Sequence, residues 1–139
     1  MPTTTATISI TNDIASVPTS ISASFNLVKA ASSEGMDTMT SKRKIYTSTD
    51  QVDMIPFGDA GGSTHNFVYI SNASTVSTDY ITVTQGNAGA GSPTIVEQIG
   101  RLYAGDWMFI PWNAADNTQD IAITPSTANE MPIEYVLIS

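Results

Sequence analysis

Turn-forming residues interrupt this chain roughly every 8–12 positions, and the segments between them are short, apolar and without helical period. Asn12-Asp13, Pro18, Gly61-Gly62, the Gly86–Pro93 run and Ala104-Gly105-Asp106 are the clearest breaks. No segment of useful length places apolar residues at the 3-, 4- and 7-residue spacing of an amphipathic helix. Such short pieces satisfy their backbone N–H and C=O groups by pairing with one another. The spacing therefore predicts an all-β chain, an antiparallel sandwich or barrel of roughly nine or ten strands. With no linker visible, the 139 residues read as one β-sandwich domain over 1–139, in which residues 1–6 form a flexible N-terminal arm.

Two kinds of strand stand out. Ser20–Lys29 alternates, with Ile21, Ala23, Phe25 and Leu27 on one face and Ser20, Ser22, Ser24 and Asn26 on the other. That pattern predicts a half-buried antiparallel strand with Phe25 and Leu27 in the core. Phe67–Ile70, Trp107–Ile110 and Glu134–Ile138 are apolar on both faces. In Arg101–Trp112 (RLYAGDWMFIPW), Trp107 and Phe109 should point to one side, with Met108 and Ile110 on the other. The Ala104-Gly105-Asp106 turn should join two antiparallel strands ending near Tyr103 and starting near Trp107, with positive φ at or beside Gly105. A single sandwich has one inner face per sheet, so strands apolar on both faces predict an oligomer.

Composition supports the strand reading. Ser and Thr make up about a quarter of the chain, against a much smaller ordinary share, and Thr favours strands. Net charge is −8, from 13 acids and 5 bases. An acidic surface disfavours nucleic acid and anionic membranes. Cysteine is absent, which excludes disulfides, Cys-based metal sites and a Cys nucleophile. The start MPTTTATISI has neither a basic n-region nor a long apolar run, and no stretch reaches the length of a membrane-spanning helix. Synthesis in the cytoplasm is the expectation.

Candidate chemistry is sparse. His65 is the one histidine, and it has no recognisable catalytic partner motif. Asp50 and Asp53 alternate across a strand, and Asp116 and Asp120 would lie roughly 13 Å apart if extended, wider than glycosidase pairs. Asn113–Asp120 is rich in oxygen ligands but lacks the spacing of a calcium loop and reads as a solvated turn. Gly86–Ser92 lacks the Gly-Lys-Ser/Thr ending of a phosphate-binding loop. Asn72-Ala73-Ser74 matches a glycosylation sequon. Lys42-Arg43-Lys44 is the one basic run, read as an exposed loop or a contact to an acidic neighbour. No catalytic residue, metal or cofactor is assigned, and the expectation is a protein without enzymatic activity.

The order FVYISNAS, YITVTQG, a Gly-rich loop, RLYAGDWMFIPWNA, IAITPS and EYVLIS resembles the small all-β virion proteins of tailed bacteriophages. The residues that carry the likeness are Phe67 to Asn72, Leu102, Gly105, Asp106, Ile110 and Pro111, then Ile121 to Ile123 and Tyr135 to Ile138. The resemblance implies a jelly-roll-like sandwich, commonly trimeric, attached to a capsid, neck or tail. It implies a decoration or cement protein that contacts the major capsid protein or other virion proteins. Cupins share the Gly-Asp…Pro strand, but their metal site needs several His, and this chain has one. The residues expected at contacts are Tyr69, Tyr80, Tyr103, Met108 and Trp112, as exposed positions the core cannot use, with Lys42, Arg43 and Lys44 from the basic run. The alternatives are a neck, tail or fibre-base component, and a carbohydrate-binding sandwich in which Trp107, Trp112, Tyr80 or Tyr103 stacks on sugar rings.

Overall fold

In a computed structural model that describes residues 3–12, 19–61, 63–87, 94–116 and 118–139, the chain forms ten β-strands among the described residues. They are β1 (Thr4–Asn12), β2 (Thr19–Leu27), β3 (Met39–Tyr46), β4 (Val52–Ile55), β5 (Asn66–Asn72), β6 (Tyr80–Asn87), β7 (Thr94–Tyr103), β8 (Trp107–Trp112), β9 (Ile121–Pro125) and β10 (Met131–Ile138). A 3-10 turn covers Phe57–Ala60. Among the described residues no helix is long and apolar enough to cross a membrane. The strands fall into two compact units, residues 1–37 and 38–139.

The larger unit is an antiparallel sandwich of two four-stranded sheets, ordered β3-β10-β5-β8 and β4-β9-β6-β7. Strand pairing is nested: β6 with β7, β5 with β8, β4 with β9, and β3 with β10. A long antiparallel ribbon folded at its β6–β7 end and rolled up gives this order, which is the jelly roll. The core is where alternation from both sheets meets. Val68, Ile70, Ile133, Tyr135 and Leu137 come from one sheet, and Ile81, Val83, Leu102, Ile121 and Ile123 from the other, all at most 5% exposed.

Two corners are closed by buried polar side chains, because loops that switch sheets leave backbone groups without a ladder partner. At one, Asn72 is fully buried. Its Nδ2 donates to the carbonyls of Leu102 (3.1 Å) and Asp79 (3.4 Å), and its Oδ1 accepts from Ser74 N (3.1 Å). The Ser74 hydroxyl donates to Asp79 Oδ2 at 2.7 Å. The sequon asparagine is therefore a structural clamp with no room for a glycan. At the other corner, Asp120 accepts from Phe57 N at 2.6 Å and is 3% exposed. The solvated turn expected over Asn113–Asp120 holds for Asp116, whose carboxylate accepts from Thr118 N, and fails for Asp120.

The turn at Gly105 forms with φ +84°, and Asp106 N donates to Tyr103 O at 2.9 Å. It links β7 to β8 as expected, yet these strands lie in different sheets. The turn is a corner that switches sheets and not a hairpin. Gly105 N donates to Asn72 O, and Asn72 N to Asp106 O, so the turn leans on the asparagine clamp.

The smaller unit contains the β1–β2 hairpin. Nine consecutive rungs run from Thr4↔Leu27 to Asn12↔Thr19 without a bulge. Residues Thr4 to Ala6, read from sequence as part of a loose arm, belong to β1. The turn signals at Asp13 and Pro18 lie outside the described residues, as do Gly62 and residues 88–93. The segment after β2 folds back locally: Met36 N donates to Leu27 O, and Lys29 bridges Asp37 at 2.7 Å. The strand predicted at Ser20–Lys29 is present, but Phe25 is 40% exposed and Ile21 57% exposed. Of the residues expected in the core, Leu27 alone is buried. The alternation was read correctly, but in this two-stranded sheet Ile21 and Phe25 keep much of their surface exposed.

Candidate interaction surface

Register decides which side chains reach solvent on the sheet β3-β10-β5-β8. The partners Ser71↔Trp107, Tyr69↔Phe109 and Phe67↔Pro111 share one face with Val136↔Tyr69 and Ile138↔Phe67. This face points away from the core, since the alternate residues Val68, Ile70, Tyr135 and Leu137 are the buried ones. β3 adds Met39, Ser41, Arg43 and Ile45 to it. The strands that read as apolar on both faces thus give one face to the core and the other to this outer surface. There the rings pair across β5 and β8: Phe67 stacks on Phe109 (5.7 Å, 6°), and Tyr69 lies against Trp107 (5.9 Å, 30°). His65 caps the row with its ring 4.9 Å from Phe67.

Exposure on this face is high for its chemistry. Trp107 is 52% exposed, Ile45 59% and Met39 71%. Its charge is nearly cancelled, because Arg43 and Glu134 are cross-strand partners joined by an ion pair of 3.2 Å. Two shallow clefts flank that pair. One, of about 340 Å³, is lined by Arg43, Ile45, Pro132, Ala73, Val76 and Glu130. The other, of about 260 Å³, is lined by Ser41, Arg43, Tyr69, Glu134 and Val136. Such a surface can bury apolar area and stack on a flat group. Exposed aromatic and arginine side chains are the types that carry binding energy at protein contacts.

The contact residues expected from sequence scatter. Tyr69 lies on this outer face. Tyr80 and Tyr103 pair at 5.4 Å, with Arg101 over the Tyr80 ring at 4.1 Å, but on the outer face of the other sheet. Met108 points inward and packs against the core. Trp112 is 3% exposed, and its Nε1 donates to Gln119 O at 2.7 Å. The expectation that these two were surplus to the core is therefore corrected: the inner half of β8 fills the sandwich. Trp107 is the exposed aromatic of this face, Phe109 is partly buried and Phe67 is buried at 9% exposure, and strand parity already separated Trp107 and Phe109 from Met108.

The basic run is also corrected. Lys42-Arg43-Lys44 lies in β3, not in a loop, and alternation splits it across the sheet. Lys44 turns to the core side, where its Nζ donates to Met54 O at 2.9 Å and sits 5.7 Å from the Tyr135 ring. Burial pushes its pKa down, and the neighbouring Lys42 charge adds to that. Lys42, which bridges Asp59 at 3.4 Å, is held above the ordinary lysine range by Tyr135 and then by Asp59. Burial raises the Tyr46 phenol, whose hydroxyl has no hydrogen-bond partner among the described residues. Only Arg43 of the three reaches the outer face. Among the described residues no three His, Asp or Glu side chains gather as a metal site would require.

No known protein family, curated protein or solved structure matches this chain.

Proposed function

We propose that this protein is a non-enzymatic structural subunit of a tailed-bacteriophage virion, of the capsid decoration or cement type. The observation that carries the reading is the half-exposed Trp107, set against the partly buried Tyr69, on the same face as the exposed Met39 and Ile45 of a jelly-roll sheet. Apolar surface of this kind is stabilised by burial against another protein. The pattern likeness of the last strands to phage virion proteins points to the same class of partner, the major capsid protein or another virion component. The subunit would act by covering surface at junctions between capsid subunits and resisting their separation. Mass spectrometry of purified particles, with a density map, tests this: near-stoichiometric copies on the head are expected, and particles that lack the protein overturn it. Copies at a neck, tail or fibre base would place it elsewhere in the same class.

A second reading is supported by one specific feature, the Tyr69–Trp107 pair beside a shallow cleft, which offers rings to a sugar. A glycan array decides between the two. Binding that Trp107→Ala abolishes would establish a carbohydrate module.

A further inference from the structure

We infer that the outer edge of β3 is a docking edge for an extended, acidic segment of another protein, which pairs with it antiparallel as an added strand of the sheet β3-β10-β5-β8. This inference stands apart from the virion reading and concerns the edge of that sheet, not its aromatic face. β3 ends the sheet, and among the described residues β10 is its one neighbour. Thr38 and Ser139 exchange both backbone hydrogen bonds at 3.0 Å, and Ala73 N donates to Pro132 O. Alternation along the antiparallel register carries this pattern through the strand. Thr40, Lys42, Lys44 and Tyr46 therefore turn their N–H and C=O groups to β10, while Met39, Ser41, Arg43 and Ile45 turn theirs to the open side. Pro132 opposite Ile45 agrees with this, since proline has no N–H to give. Met39 is 71% exposed, Ile45 59%, and the Arg43 side chain 61%.

The other edges are blunted. β8 carries Pro111, β4 is four residues long with a register shift, and the pairing of β7 with β6 shifts twice. Proline and bulges are how sheet edges resist added strands. β3 is eight residues long, without proline and without a shift in its ladder with β10. It offers an added strand a regular row of donors and acceptors.

Charge and register identify the occupant. A second copy is rejected: outward groups must meet outward groups, so a twofold axis passes through a residue of β3. The two registers with the longest overlap, Met39 to Ile45 and Thr40 to Tyr46, place Lys42 opposite Lys42 and Arg43 opposite Arg43. Like charges directly opposite destabilise a strand pair. The same row favours an acidic strand. Met39–Tyr46 contains no acid and holds three of the five bases in a chain of net charge −8. Its bases already draw carboxylates of their own chain, Arg43 pairing with Glu134 from β10 and Lys42 with Asp59 from the 3-10 turn. A carboxylate opposite Arg43 on the added strand meets its guanidinium from the open side, and an apolar residue at either end meets Met39 or Ile45. One strand buries well under the roughly 1,200 Å² of a standard interface, so binding is weak and reversible.

The probe is an end-capped eight-residue peptide of valine and threonine with glutamate at its two central positions, titrated into the isotope-labelled full chain over about 10 µM to 1 mM. Amide hydrogen exchange should slow at Met39, Ser41, Arg43 and Ile45, and hold steady at Thr40, Lys42 and Lys44, which β10 already protects. A peptide with lysine in place of glutamate should bind about tenfold more weakly, and added salt should narrow the gap. Ser41→Pro removes an outward N–H and leaves the ladder with β10 intact, so it should weaken binding about tenfold or more. Arg43→Gln, which needs no backbone change, should weaken binding about fivefold, and circular dichroism checks that both variants fold. Outward amides already protected in the dilute free chain, or protected by raising its own concentration, would overturn the inference, the second in favour of a second copy. So would no binding at 1 mM, equal binding of the lysine peptide, or binding indifferent to both variants.

Discussion

β2 and β5 are both strands with well-defined apolar positions, and their fates differ. β2 has the cleaner alternation, yet Ile21 and Phe25 are exposed to 57% and 40%. β5 alternates poorly because Phe67 and Tyr69 interrupt its polar side, yet Val68 and Ile70 are fully buried. The difference lies in what faces each strand. Inner residues of β5 meet the second sheet of the jelly roll, whereas β2 belongs to a sheet of two strands. Periodicity reports which side chains share a face and carries no information on whether a layer lies above it.

The largest effect should separate the two strands directly. Ile70→Ala is expected to cost about 2–5 kcal/mol in urea unfolding, since it opens a hole in a closed core. Phe25→Ala, judged from sequence alone, would cost as much. With the residue 40% exposed, it should cost less than Ile70→Ala, about 1–2 kcal/mol. Equal losses at the two sites would break the comparison.

The next largest effect concerns how the sandwich closes its ends. Asn72→Ala removes two donors and one acceptor from a fully buried corner. The Leu102 carbonyl loses its side-chain donor, and about 1–3 kcal/mol should be lost. Asn72→Asp should not rescue, because a carboxylate donates nothing to those carbonyls. Gly105→Val sharpens the same point with a smaller cost of about 1–2 kcal/mol. Open space surrounds the position where a Cβ would go, so the penalty comes from φ +84° and β-branching. A neutral result would mean the corner relaxes.

The smallest effect is a pH dependence. Burial raises the Asp120 carboxyl above the ordinary aspartate range, outweighing the Phe57 N–H, and Asp53 adds to the rise. The folded state therefore holds its proton more tightly than the unfolded chain does. Stability from this group is complete below the ordinary aspartate range and is lost as pH rises through the raised value. Asp120→Asn, which keeps an acceptor for Phe57 N, should flatten that part of the stability profile. An unchanged slope would assign the titration to another acid.

The strands were legible because alternation and turn residues are local signals. Gly105 was placed correctly in a left-handed turn for the same reason. Which strands pair was not legible: β7 and β8 are joined by a three-residue link but diverge into different sheets. Nothing in Ala104-Gly105-Asp106 distinguishes a hairpin from a corner. Trp112 was misjudged because its parity with Met108 and Ile110 was not carried to the end of the strand. Lys44 escaped notice because a lysine can lay its stem inward and still find a carbonyl acceptor, here Met54 O.

The nested pairing has a kinetic consequence. The β6–β7 hairpin needs only a short loop to close, whereas β3 must find β10 with Met39 opposite Ile138. Long closures are entropically costly until inner pairs have shortened them. Assembly should therefore zip outward from β6–β7. β10 is synthesised after β3 and β5 but lies between them, so those two strands wait with bare edges on the ribosome until residues 131–138 emerge. During that interval the nascent chain is open to mispairing with other strands.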